Sequence, residues 1–304
     1  MQTMLVPLDG SALAEQALPF AHLLAPLLGA RVVLLQVFPD PEHEYSVISA
    51  PADAPGAAGA RWAHQQHQRW LAQRGEIEAY LEMHAAPLRA AGIEATVDVE
   101  VGLPAAGILR AAERQHASLI ALAGHGYGRL RRWASGSVTE QLVLSAGLPL
   151  LLLRPGLSAP AALARILAPF DCSVYSRHVL AYALMLAHSA AAELVVLHTV
   201  AASIEELLAG EAPAAAQRAA LGAHVQQAYA AHFGAGAARA RFSAEIGIGN
   251  PTDAIVEEAG RHQSQLVIIA RQRNGGTRRR AAAPDIEVLR RAVDAPLLLL
   301  PPRP

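Results

Sequence analysis

Residues Ala123 to Ser137 read AGHGYGRLRRWASGS. They follow an apolar run, Ser118 to Leu122, with the character of a strand, and lead into Val138 to Ser145, with the character of a helix. A strand that passes through a glycine-rich turn into a helix is the building unit of parallel α/β sheets. Glycines at 124, 126 and 128 let the backbone take positive φ and come close to a ligand, and Gly136-Ser137 adds a second tight turn with a hydroxyl at a helix start. Those are parts for holding phosphate. Arg129, Arg131 and Arg132 lie between them, where they can neutralise an anion or face water. Taken by itself, the loop is either a nucleotide site or a glycine-rich connection.

Outward from this loop, strand and helix alternate. Upstream, Gly102-Leu103-Pro104 opens a helix, Ala105 to Gln115, with proline in the first turn, where its missing N–H costs nothing. Ile93 to Val101 reads as a strand and Arg61 to Ala91 as a long helix. Pro39 to Ala60 is rich in proline and alanine and has no periodicity, as in a lid or a contact surface. Arg31 to Phe38 (RVVLLQVF) is continuous and β-branched, the pattern of a parallel strand covered on both faces. Met4 to Leu8 is a first strand, and Ala12 to Leu28 has helical spacing, with Asp9 or Ser11 able to cap it. Downstream, Leu148 to Leu153 is a fifth strand. The order predicts a doubly wound, mostly parallel sheet.

After Arg154-Pro155-Gly156 and a linker to about Ala162 the pattern begins again. Leu167-Ala168-Pro169-Phe170-Asp171 repeats Leu5-Val6-Pro7-Leu8-Asp9, and Leu194 to Val200 echoes Val32 to Phe38. Gly249-Asn250-Pro251 matches Gly102-Leu103-Pro104, Leu266 to Ala270 matches Leu119 to Ala123, and Ala295 to Leu300 matches Leu148 to Leu153. One α/β domain has been duplicated. The two final strands are expected to be edges that pair with each other across a pseudo-twofold or with another chain.

Composition narrows the function. At 304 residues the chain has room for two domains, and its net charge of −1 provides no global attraction to nucleic acid or to an acidic membrane. A single cysteine, Cys172, excludes an intrachain disulfide and a thiolate metal centre. MQTMLVPLDGS enters a strand with no basic leader, so no signal peptide is expected, and no apolar run reaches the roughly 20 residues of a membrane helix. A cytoplasmic protein is expected.

The start LVPLDGS, the GLP before the third helix, the loop AGHGYGRLRRWASGSV and the end GLPLLLLRP resemble a universal stress protein domain, and the chain resembles a tandem pair, residues 1–156 and 164–304. The resemblance implies two Rossmann-like domains, each with a five-stranded, mostly parallel sheet and helices on both faces. It implies an adenine nucleotide, ATP with Mg²⁺ in many members, and a regulatory role in the stress response. The family's phosphate loop is G-x-x-G, nine residues, then G-[S/T]. Here Gly126 and Gly136-Ser137 fit, and Ala123 stands at the first glycine. By the same resemblance Asp9, preceded by Pro7 and Leu8, lies where an acidic residue meets the nucleotide or its metal, and Val37 where backbone atoms meet adenine. Gly124, His125 and Gly126 follow the ribose and phosphates, and Gly136, Ser137 and Val138 hold the terminal phosphates.

The second copy of the loop, ARQRNGGTRRRAAAPDIE, has Ala270, Arg273 and Ala283 at the three glycine positions and Pro284 in place of the hydroxyl. Proline also lacks the N–H that would meet a phosphate. The second domain is therefore expected to bind no nucleotide, or to bind it much more weakly. Elsewhere, Arg271, Arg273, Arg278, Arg279 and Arg280 cluster without an aromatic residue, which argues against stacking on nucleic acid. His64 and His67 lack a carboxylate or cysteine beside them. His125 fits a hydrogen-bonding loop residue better than a base. The sequence contains no lysine, so the cation of a GxxxxGK[ST] loop is missing. No catalytic set emerges, and any ATP hydrolysis is expected to be slow and incidental. The alternative to a nucleotide-binding regulator is an interaction module of the same fold, with domain pairing, a homodimer or an unknown protein partner as its business.

Overall fold

The computed structural model describes residues 2–38, 57–124, 138–200, 213–234, 240–271 and 284–302. By its contacts the chain divides into two compact units, one ending with the helix before Ala146 and the other running from Gly147.

The first unit contains β1 (Gln2–Pro7), α1 (Ala17–Leu28), β2 (Ala30–Phe38), α2 (Ala57–Ala90), β3 (Ala95–Val101), α3 (Pro104–Arg114), β4, which begins at Leu119, and α4 (Val138–Ser145). The strands are parallel in the order β3-β2-β1-β4. Met4, Leu5 and Val6 in β1, and Val32 to Leu35 in β2, are consecutive and wholly buried. Burial without alternation means that both faces of the sheet are covered, as the continuous apolar runs predict. The expected helix from Ala12 starts as a 3₁₀ turn at Ala14–Gln16, because Ser11 Oγ accepts the Ala14 N–H, and it becomes α-helical at Ala17. It ends at Gly29 in the left-handed conformation.

The second unit contains β5 (Leu150–Leu153), β6 (Arg165–Pro169), α5 (Val174–Ala190), β7 (Glu193–Val200), α6 (Pro213–Phe233), β8 (Arg241–Ile248), α7 (Pro251–Arg261), β9 (Leu266–Ala270), α8 (Ile286–Ala292) and β10 (Leu297–Leu300). Strands β8-β7-β6-β9-β10 are parallel, in the order of the first unit with one more strand at the β9 side. Strand β5, which ends the first repeat in sequence, pairs antiparallel with β10, Leu151 opposite Leu298, and so belongs to the second compact unit. Both four-leucine strands are fully buried by this pairing and the packing around it. Arg154 reinforces it, donating from Nε to the Val293 carbonyl at 3.1 Å and forming an ion pair with Asp294. Arg271, 5 % exposed, donates to the Leu148 carbonyl, and its burial lowers the guanidinium pKa.

Candidate functional site

In open parallel sheets a ligand crevice forms beyond the carboxyl ends of the strands, where neighbouring strands part. Strand β1 pairs with β4 only at Met4–Leu119 and Leu5–Ile120, whereas its ladder with β2 runs on to Pro7–Leu35. Pro7 explains the difference. The Ser118 N–H donates to the Thr3 carbonyl and the Leu8 N–H donates to Leu35, so odd-numbered residues of β1 face β4 and even-numbered ones face β2. The N–H that Pro7 lacks is the one that would have continued the pairing with β4.

The chain then turns through Asp9-Gly10-Ser11. Gly10 has φ 79°, a conformation that favours glycine. Asp9 Oδ1 accepts from the Ser11 N–H at 3.0 Å and from the Ser11 hydroxyl at 2.6 Å, and Ser11 in turn caps the first helical turn. Of the two roles open to Asp9, it therefore orders the turn that carries the cap, while Oδ2 has no partner among the described residues.

On strand β2 the ladder to β1 stops at Leu35. The alternation that aims the Leu35 carbonyl at Leu8 aims the Val37 N–H and C=O the same way, past the end of β1. The next residue, Phe38, is turned to the other side, where its carbonyl accepts from Gly102. Val37 thus offers an adjacent donor and acceptor from its backbone. Its side chain is committed elsewhere: a Cβ on Gly107 of α3 would come within 2.6 Å of Val37 Cγ1, so helix and strand touch there only because residue 107 is glycine.

A cavity of about 300 Å³ opens at this point, lined by Gly10, Gln36, Val37 and Phe38 and, from α2, by Ile77 and Tyr80 among others. That is the small end of the range for ligand pockets, about 300–1,000 Å³. Gln36 Oε1 is shielded from solvent and has no hydrogen-bond partner among the described residues. The Tyr80 hydroxyl donates to Glu15 Oε1 at 2.9 Å, and burial, reinforced by that carboxylate, raises its pKa, so it stays protonated. Neither Gln36 nor Tyr80 stood out in the sequence. The one signal for Gln36 is a lone polar residue in the apolar run RVVLLQVF.

The remaining expected site residues are placed in part. Ala123 is the last residue of β4, and the Gly124 N–H donates to the Leu153 carbonyl at 3.3 Å, which engages that donor in the backbone. Val138 is the first residue of α4. His125, Gly126, Gly136 and Ser137, together with Arg129, Arg131 and Arg132, lie outside the described residues, as do most of the 39–60 segment and the arginines from 273 to 280.

The second repeat builds the same turn with different residues. Pro169 again ends a strand, the Phe170 N–H donates to Leu197, and Asp171 Oδ1 accepts from the Ser173 N–H at 3.0 Å. Burial works to raise the Asp171 pKa, but hydrogen bonds from Ser173 and Ser176 outweigh it and hold the carboxyl below its ordinary value. Cys172 takes the place of Gly10 at φ 62°. His198 takes the place of Gln36, and its Nδ1 lies 2.7 Å from the Phe170 carbonyl, which can only accept. The polar position that is unpartnered in the first repeat is thereby satisfied in the second.

Among the described residues no helix is long and apolar enough to cross a membrane. Comparison with curated proteins returned no match. Among solved structures, a universal stress protein from Archaeoglobus fulgidus is similar over 98% of both chains at 17% identity and a TM-score of 0.64. A putative universal stress protein from Pseudomonas aeruginosa is similar over 99% of this chain and 94% of its own, at 18% identity and a TM-score of 0.55. At these identities the likeness establishes the fold. The universal stress protein family profile matches residues 1–154 and again 163–301, nearly the whole sequence. With the same strand order and the same proline-ended turn in both copies, the chain belongs to the universal stress protein family and carries two of its domains in tandem.

Proposed function

We propose that the protein is an adenine-nucleotide-binding regulator of the stress response, acting in the cytoplasm, with its nucleotide site in the first repeat and ATP, with Mg²⁺, as the ligand. The observation that carries this reading is the cavity beyond the end of β1. There the Val37 N–H and C=O point together past the strand that would otherwise pair with them, beside the unpartnered Gln36 Oε1. An adjacent donor and acceptor, with one more acceptor beside them, suit the edge of a purine bearing an exocyclic amine. The volume fits the base and part of the sugar, so the phosphates would lie outside it, towards Asp9. Turnover is not part of the proposal: the binding of nucleotide, not its hydrolysis, is the regulatory event.

Titration of ligand-free protein with ATP and Mg²⁺, read by heat or by thermal shift, tests the reading. Saturable binding is expected, and no response at millimolar nucleotide would end the proposal. Gly136→Val is expected to abolish binding by filling the phosphate turn, and Gln36→Leu to weaken it about tenfold through loss of one buried hydrogen bond. Unchanged affinity in both variants would move the site elsewhere.

A second reading, an interaction module that binds no nucleotide, is favoured by Ala123 at the loop's first position and by the engagement of the Gly124 N–H with Leu153. It expects a protein partner or a homodimer and no thermal shift with ATP. Analytical ultracentrifugation with and without nucleotide separates the two.

A further inference from the structure

Aligned on Gly102-Leu103-Pro104 and Gly249-Asn250-Pro251, the repeats place Asp98 with Glu245, Ala111 with Glu258, Arg114 with Arg261 and Gln115 with His262. In the first repeat this corner, where β3 meets the end of α3, is a surface ion pair. Arg114 donates to Asp98 and Glu100, and Gln115 Nε2 donates to Asp98 Oδ2 at 2.9 Å. The second repeat keeps the arginine and the first strand carboxylate, has Gly247 where Glu100 stands, and brings in a carboxylate from the helix and an imidazole.

The added groups converge. His262 Nε2 lies 3.3 Å from Glu245 Oε1 and 3.4 Å from Glu258 Oε2, and one ligand atom from each of the three residues falls within 4.8 Å of the others. His262 Nε2 is shielded from solvent and makes no hydrogen bond among the described residues. Glu258 is 6 % exposed, on a helix position where the first repeat buries alanine. A carboxylate buried there has to be neutralised by something. Arg261 does so at present, reaching Glu258 and Glu245 from a side chain that is 54 % exposed, and Arg218 meets Glu245 Oε2 from outside.

We infer that Glu245, Glu258 and His262 form a binding site for a divalent transition-metal ion of the zinc class, with Arg261 occupying the ion's place when it is absent. Bonds of about 2.0–2.1 Å to a tetrahedral zinc put neighbouring ligand atoms about 3.3–3.4 Å apart, which is the separation of His262 Nε2 from each carboxylate. One neutral imidazole and two carboxylates are ordinary zinc ligands and leave a fourth position for water. Glu245 is already divided in the way such ligands are, with Oε1 turned to the site and Oε2 held by the two arginines. Entry of the ion requires Arg261 to leave Glu258 Oε2, which its exposure on the last turn of α7 allows. The site is independent of the nucleotide proposal.

Zinc chloride titrated into the full-length, nucleotide-free protein, with cobalt(II) as a spectroscopic substitute, tests this. One equivalent should bind, and cobalt should show the intense visible absorption of a tetrahedral centre. His262→Gln and Glu258→Ala install the residues that the first repeat uses, and each should weaken binding about tenfold or more. Arg261→Gln removes the competitor from the surface and should tighten binding roughly fivefold. Circular dichroism establishes that each variant is folded. Absence of binding in both wild type and Arg261→Gln would overturn the inference, because the arginine network would then be the whole role of the cluster. Binding of unchanged strength in both His262→Gln and Glu258→Ala would also overturn it, by placing the ion at other histidines.

Discussion

The two repeats share one turn and use it differently. In the first, glycine takes the left-handed position after Asp9, a cavity opens beneath it, and the polar residue beside Val37 is unpartnered. In the second, cysteine is held at a similar φ after Asp171, and His198 closes onto the Phe170 carbonyl. The turn is therefore a requirement of the fold, since proline must release the strand and the acid must order the cap wherever the fold is built. The open edge of β2 has its counterpart in β7, so the first repeat is distinguished by the unpartnered Gln36 Oε1, where the second has His198 bonded to Phe170. At the ends of α3 and α7 the asymmetry is reversed. There the first repeat binds two strand carboxylates to Arg114, and the second has gathered a buried helix carboxylate and an imidazole beside the strand carboxylate.

The largest test of this comparison addresses the strands that the repeats contribute on equal terms. Leu151→Asp and Leu298→Asp each bury an unpaired carboxylate in the β5–β10 ladder and should cost about 3–5 kcal/mol, read from urea unfolding. Equal losses are expected because each residue faces the other. A loss confined to one variant would mean that the ladder does not form in solution as described.

A medium effect is expected where helix and strand touch most closely, because the repeats solve that contact in opposite ways. In the first, the helix supplies Gly107, facing Val37 of β2 and Glu100 of β3. In the second, β8, the counterpart of β3, supplies Gly247, whose Cβ would lie 2.8 Å from Ala254 of the helix. Gly107→Ala and Gly247→Ala should each destabilise by about 1–3 kcal/mol through overpacking, reduced for Gly107 by the roughly 1 kcal/mol that alanine gains in a helix. Adding Val37→Ala to the first variant and Ala254→Gly to the second should restore much of the loss. Failure of both rescues would show that the cost is not steric.

The smallest effect lies in the turn itself. Gly10→Ala should destabilise by about 1 kcal/mol, since nothing crowds the new methyl and only the positive φ opposes it. Cys172→Gly should stabilise by about 1 kcal/mol or less, relief of the same strain being offset in part by the freer unfolded chain. Shifts of the same sign in thermal melts would break the equivalence of the two turns.

Much of this was legible from local pattern. The proline-acid turn, the continuous apolar strands and the order of the elements follow from residues that act on their own neighbours, and duplication supplied an internal check on each. The glycines after β4 read as a phosphate loop for the same reason. What could not be read depends on distant residues meeting. Gln36 is one polar residue in a strand until β1 turns away beside it, and Gly107 has no stated reason until Val37 stands opposite. Glu258 and His262 were open to discovery by aligning the repeats, since alanine and glutamine stand at the corresponding places. Their separate motifs were too ordinary to draw the eye, and Glu245 joins them only through the strand. The pairing of β5 with β10 is one of the two outcomes expected of the final strands, since their apolar runs leave open only whether the partner is the other repeat or another chain.

That pairing bears on how the chain is made. Leu298 is synthesised 147 residues after Leu151, so on the ribosome β5 waits for its antiparallel neighbour roughly 7–30 s at ordinary elongation rates. During that interval the edge of the four-leucine strand that will meet β10 is unpaired, and the nascent chain is open to mispairing or to capture by a chaperone there. Completion of the second repeat is what covers that edge, and a product truncated between the two repeats would carry it open.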